Sequence, residues 1–158
     1  MQTAAFETGG WGGGYPNSQM GAIALIRQSF AEADWHDRAL AIHAADPVGI
    51  DPPEQADALE SLIEVVTGDV PVAFVTVDEL EAMRAARVAE EYDLDGVIIG
   101  SGTEFRRLDE VVATGLPIVV PLNFPKKPEV TDPYAADRVT LRELQTWEHA
   151  PSNAARLL

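Results

Sequence analysis

The chain has 158 residues with 26 Asp+Glu against 11 Lys+Arg, a net charge of −15 and no cysteine. That length carries one ordinary domain with a core, and no apolar run approaches the roughly 20 residues of a membrane-spanning helix. The charge repels phosphate backbones, the missing thiols exclude disulfides and thiolate metal sites, and no basic and apolar leader opens the chain, so the expected protein is cytoplasmic and binds neither nucleic acid nor membrane.

Residues 1–17 hold Gly9-Gly10 and Gly12-Gly13-Gly14 with Trp11 and Tyr15 between them, which reads as a loop or arm. Asn17 or Ser18 can cap a helix from Gln19, where Ile23, Ile26 and Phe30 mark an apolar stripe continuing through Trp35 toward His43. A second helix is predicted from Asp51-Pro52, with Leu59, Leu62, Ile63 and Val66 on its buried face and Gly68 as its stop. The pattern then changes to short β-branched runs, at 70–77, 96–100 and 117–122. Between them lie helices opened by the capping-box spacings Thr76/Glu79 and Ser101/Glu104. A last box, Thr140/Glu143, opens a C-terminal helix with Leu144 and Trp147. The expected fold class is therefore α/β, with a parallel βαβαβ core over 70–123, in one domain spanning 18–158 behind the arm. That rhythm suits a doubly wound sheet or part of a (β/α)-barrel.

The Gly100-Ser101-Gly102 turn follows a buried strand, where both fold types bind ligands. It lacks the third glycine of a dinucleotide fingerprint, since Phe105 stands there. Glu104, Arg106 and Arg107 follow the turn and some of them would face a pocket; alternatively, Glu104 only caps the helix and the arginines are solvated. His36 and His43 are seven residues apart, unlike the usual zinc-ligand spacings, and His149 stands alone. Neither Ser101 nor Ser152 sits in a nucleophile elbow. Spacing alone names no reaction.

Four phrases carry a resemblance: residues 15–35 (YPNSQMGAIALIRQSFAEADW), 71–108, 116–130 (LPIVVPLNFPKKPEV) and 141–158 (LRELQTWEHAPSNAARLL). Together and in this order they resemble the central part of amidohydrolase-superfamily proteins, in the imidazolonepropionase-like branch. The resemblance implies consecutive βα units of a partial, TIM-barrel-like (β/α)-barrel with an N-terminal helical region. It further implies metal-dependent hydrolysis of C–N bonds in amides or cyclic amides, with a zinc-type divalent metal. The family's ligands are an H-x-H pair after the first strand, a Lys or Glu and two His ending middle strands, and an Asp ending the last. No H-x-H occurs in this chain, and the strands at 71–77 and 96–102 end without His. The resemblance is thus to a catalytically incomplete segment. Its alternative is a non-catalytic scaffold or interaction domain that kept the fold without the ligands.

On this reading Glu104, Arg107 and Asn123, the last just past a strand end in PLNFP, are the substrate-contacting candidates, and a small molecule is the expected substrate. A third reading, a stand-alone α/β protein, would hold a phosphorylated metabolite at 100–103. A partial barrel exposes strand edges, so a homo-oligomer or a complementary chain is expected. Only two lysines, Lys126 and Lys127, stand among dispersed acidic residues, a composition that suggests a halophilic source.

Overall fold

The computed structural model describes residues 1–9 and 14–158. Four strands make a parallel sheet in the order β1-β2-β3-β4, with β1 at Gln2–Ala5, β2 at Val72–Val75, β3 at Gly96–Ile99 and β4 at Ile118–Val119. The helices are α1 (Gln19–Ala45), α2 (Asp57–Val66), α3 (Glu79–Glu91), α4 (Leu108–Val112), α5 (Pro133–Ala136) and α6 (Leu141–Arg156), with a 3₁₀ turn at Glu104–Arg107 ahead of α4. The chain gathers into two compact units. One is Met1–Val75 with Arg87–Val97, the other Thr76–Ala86 with Ile98–Leu158.

In the first unit, β1 replaces part of the expected arm. Gln2–Ala5 pairs in parallel with Val72–Val75, and Gln2 N–H donates to the Pro71 carbonyl at 3.2 Å. The four residues QTAA carry no apolar alternation, so only the partner strand makes them a strand. The expected loop residues 10–13 lie outside the described residues. Ser18 caps α1 by accepting from Gly21 N–H at 3.1 Å, and α1 buries Ala22, Phe30, Ala33 and His36. Arg27 ties α1 to Glu91 at 2.6 Å, and Tyr92 Oη donates to the Arg27 carbonyl at 2.9 Å beside the Phe30 ring. The second helix starts at Asp57, six residues beyond the Asp51-Pro52 signal, because residues 51–56 take no regular structure around the two prolines. Val65 is its fully buried residue, the predicted face is half-buried, and Gly68 closes it at φ +82°.

In the second unit, α3 opens on a different cap from the one its spacing suggests. Asp78 Oδ1 accepts from Leu80 and Glu81 N–H at 3.0 and 2.8 Å, and Glu81 Oε2 accepts from Val77 N–H. Thr76 instead donates its hydroxyl to the Ile99 carbonyl at 2.9 Å, extending the strand ladder. Ile98 N–H and Gly100 N–H donate to the Pro117 and Val119 carbonyls, which sets the β3–β4 register Ile98↔Ile118. Strand β4 is much shorter than the predicted 117–122. The capping box of α6 forms as read, with Glu143 N–H donating to Thr140 Oγ1 and Thr140 N–H to Glu143 Oε2. The core of this unit centres on Ile98, Val111, Ala82, Ala85 and, unusually, Glu104.

Candidate functional site

Glu104 follows the turn at the end of β3 and is fully buried, at 0% exposure. A charged side chain in such a place needs partners for its oxygens. Its Oε1 accepts from Ser101 N–H at 2.6 Å and Gly102 N–H at 3.1 Å, with the Ser101 hydroxyl at 3.3 Å. Its Oε2 accepts from Asn153 Nδ2 at 2.6 Å. Because a carboxylate oxygen only accepts here, the amide nitrogen of Asn153 must face it. The carboxylate therefore reaches back to the turn as in half a capping box, while Thr103, the residue ahead of the 3₁₀ turn, makes no side-chain cap. Gly100 is demanded by this arrangement, since a Cβ there would lie 2.6 Å from Glu104 Oε1.

The turn is closed to an outside anion. Ser101 and Gly102 N–H serve Glu104, and Thr103 N–H donates to Ser101 Oγ at 3.3 Å. A phosphate held by a glycine-rich turn needs such N–H groups free. The phosphorylated-metabolite reading at 100–103 has no donors left to rest on.

Next to this clamp lies a cleft of about 360 Å³ lined by Glu79, Phe105, Arg106, Arg107, Gln145, His149 and Arg156. The 3₁₀ turn delivers Phe105, Arg106 and Arg107 as consecutive residues, and the last three-quarters of α6 delivers Gln145, His149 and Arg156 on the far wall. Arg106 is anchored by donating Nη2 to the Arg142 carbonyl and Thr146 Oγ1, both at 3.1 Å. Its guanidinium carbon is 5.4 Å from the Phe105 ring centroid, and its buried Nε has no partner among the described residues. His149 packs on Phe105 with ring centroids 5.0 Å apart. Glu79 is buried and accepts from Thr103 Oγ1 at 2.9 Å.

The three sequence candidates have separate fates. Arg107 lines the cleft and pairs with Glu110 at 3.0 Å, and its hydrogen bond holds the Glu110 carboxyl below the usual carboxylate range. Glu104 sits in the clamp rather than among the cleft-lining residues. Asn123 lies on the exposed stretch between β4 and α5, with no side-chain hydrogen bond among the described residues. Sequence reasoning did not connect Asn153 to Glu104, although both belong to the phrases that carry the resemblance. It also missed Glu79, Gln145 and Arg156 as neighbours of Arg107, because α3 and α6 reach the cleft only through long-range packing. His36 is buried on α1 in the first unit, at 3% exposure.

The described side chains offer no ready-made ligand set for a divalent metal. Among the described residues no group of three or more His, Asp or Glu is placed to hold a metal ion. The most buried acid, Glu104, has both oxygens facing N–H donors, which point positive ends where a cation would have to sit.

No family model matches the chain, and no curated protein matches it in sequence. Among solved structures it is similar to an amidohydrolase from Thermotoga maritima MSB8, with a TM-score of 0.59 and 17% identity over 85% of this chain. The chain spans 34% of the length of that protein. The shared feature is the fold: mixed α/β with a parallel sheet. Among the described residues no helix is long and apolar enough to cross a membrane.

Proposed function

We propose that this chain is an amidohydrolase-related segment of a (β/α)-barrel, of the imidazolonepropionase-like kind. A complete barrel of that type hydrolyses C–N bonds of amides or cyclic amides with a bound divalent metal. In this reading the present segment contributes the sheet and polar contacts to a small-molecule substrate, and the metal ligands come from residues outside it. Arg107 and Asn123 are the contacts to polar substrate groups, and Glu104 fixes the rim turn ahead of Arg107. The observation that carries the reading is the similarity to one part of an amidohydrolase, 85% of this chain over 34% of that protein. The open edges of β1 and β4 favour association with a second copy or a complementary chain.

The test is metal content by elemental analysis, combined with mass by light scattering, on chain purified in molar potassium chloride without chelator. An oligomer with no stoichiometric metal supports the reading. One equivalent of zinc, manganese or iron per chain overturns the placement of the ligands elsewhere, and a monomer that unfolds cooperatively overturns the association.

A second reading, a scaffold that kept the fold without the chemistry, is favoured by one detail. Glu104 occupies the position after a parallel strand where barrels place catalytic groups, yet its lone pairs hold its own backbone. Restoration of hydrolase activity by a complementary chain would exclude it.

A further inference from the structure

We propose that the cleft lined by Arg106, Arg107, Arg156, Gln145, His149 and Glu79 binds a small carboxylate that also carries a hydroxyl or amine donor. The inference stands on the geometry of this cleft and does not rest on the hydrolase reading.

Charge is the first support. The chain carries a net −15, yet this one cleft brings three guanidinium groups against a single lining carboxylate. Like charges gathered in a concavity repel one another, and an anion between them relieves the repulsion. Of these three, only Arg107 has an acidic partner among the described residues, Glu110. Arg156 makes no hydrogen bond or ion pair among the described residues, and Arg106 keeps a buried Nε without an acceptor. Arg106 is held in place by the Arg142 carbonyl and Thr146, which take both Nη2 hydrogens, so it adds a fixed positive charge while the forks open to a ligand are those of Arg107 and Arg156.

The anion is better matched as a carboxylate than as a phosphate. The neighbouring turn has no N–H to add, because Ser101, Gly102 and Thr103 all use theirs internally. Recognition falls to planar guanidinium forks, which take a carboxylate or a phosphate through two parallel hydrogen bonds; a carboxylate has no further oxygen to satisfy, whereas a phosphate presents others that the turn cannot reach. A volume of about 360 Å³ suits a ligand of few atoms.

Glu79 sets the second requirement. Its Oε2 accepts from Thr103, while Oε1 has no partner among the described residues. A bare anion beside this carboxylate would be repelled. A ligand that brings an O–H or N–H to Oε1 converts that repulsion into a charge-assisted hydrogen bond. Gln145 offers both a donor and an acceptor to the same ligand.

The test is calorimetric titration of the full chain with malate, succinate and inorganic phosphate, in potassium chloride at fixed ionic strength. Malate and succinate share a skeleton and differ by one hydroxyl. Saturable binding is expected, with malate about tenfold tighter than succinate and tighter than phosphate. Arg156→Gln should weaken malate by about tenfold, whereas Arg138→Gln, outside the cleft, should leave it unchanged. Glu79→Gln should narrow the malate–succinate gap. Should a variant fold poorly, the unaltered chain still decides the matter, because bound malate should protect Arg156 from phenylglyoxal as read by peptide mass spectrometry. Phosphate binding tighter than malate, equal loss in the Arg138 and Arg156 variants, or no saturable binding and no protection would each overturn the proposal.

Discussion

Asn153 Nδ2 donates to Glu104 Oε2 at 2.6 Å, joining α6 to the turn after β3 across 49 residues. Both side chains are essentially unexposed, so neither can exchange this bond for one to water. Asn153→Ala leaves a buried carboxylate oxygen short of a donor and should lower stability by about 2 kcal/mol. For a chain of this size that is a fall of roughly 4–8 °C in Tm, measured by circular dichroism. Asn153→Asp should be worse, because it sets one carboxylate against another.

Gly100→Ala tests the same clamp from the backbone side. The added methyl would lie 2.6 Å from Glu104 Oε1 and force the carboxylate off its N–H partners. We expect a loss of about 1–3 kcal/mol in denaturant unfolding. In a Glu104→Ala background the obstructing oxygen is gone, so the loss should shrink by about 1 kcal/mol. Equal losses in both backgrounds would show that the glycine answers to something else.

Acid should loosen α6 from its N-terminal end. The Thr140 backbone N–H, with the Thr140 hydroxyl, holds the Glu143 carboxyl below its ordinary 4.5. A depressed folded pKa means the contribution is fully present above the unfolded value and is lost as pH falls through the folded one. The protection of the first-turn amides of α6, relative to their intrinsic exchange at each pH, should fall as pH drops through the folded Glu143 pKa, and Glu143→Gln should remove that dependence.

Tyr92 gives the opposite sign at the alkaline end. Burial, followed by the charge of Glu91, raises its pKa above 10.0, with Arg27 acting the other way. A raised folded pKa contributes stability below the unfolded value, and the contribution disappears as pH rises through the folded one. Phenolate absorbance should show one tyrosine titrating later than free tyrosine, and Tyr92→Phe should abolish that step. The same substitution removes the hydrogen bond to the Arg27 carbonyl, for a loss of about 1 kcal/mol.

Salt should stabilise the chain. With a net charge of −15, self-repulsion is a large unfavourable term at low ionic strength and is screened by molar salt. A Tm that climbs between dilute and molar potassium chloride is the expected result and supports a halophilic source. A flat Tm would leave an ordinary acidic protein.

Local grammar was legible and long-range pairing was not. Ser18, the Thr140/Glu143 box and the stop at Gly68 are decided within a few residues, and each appears where the sequence placed it. The box at Thr76/Glu79 failed because two overlapping caps competed. Asp78 with Glu81 satisfied the helix end, which released Thr76 to the Ile99 carbonyl. Strand β1 could not be read from QTAA, since its reason for being a strand lies some 70 residues away in β2. Site residues divide the same way. Arg107 follows directly from the turn, whereas Arg156, Gln145 and Asn153 reach the neighbourhood only once α6 has docked.

Prolines give β4 a particular character. Pro117 and Pro121 stand in phase with Val119, whose carbonyl, like that of Pro117, accepts from β3. Alternation along a strand sends the groups of Ile118 and Val120 the other way. The two rings therefore remove N–H groups on the side facing β3 and none from the outer side. They limit how firmly the last strand is held, not whether another can join it. With a ladder two residues long, β4 is the place where the sheet opens at least expense, and its amides should exchange well before those of β3.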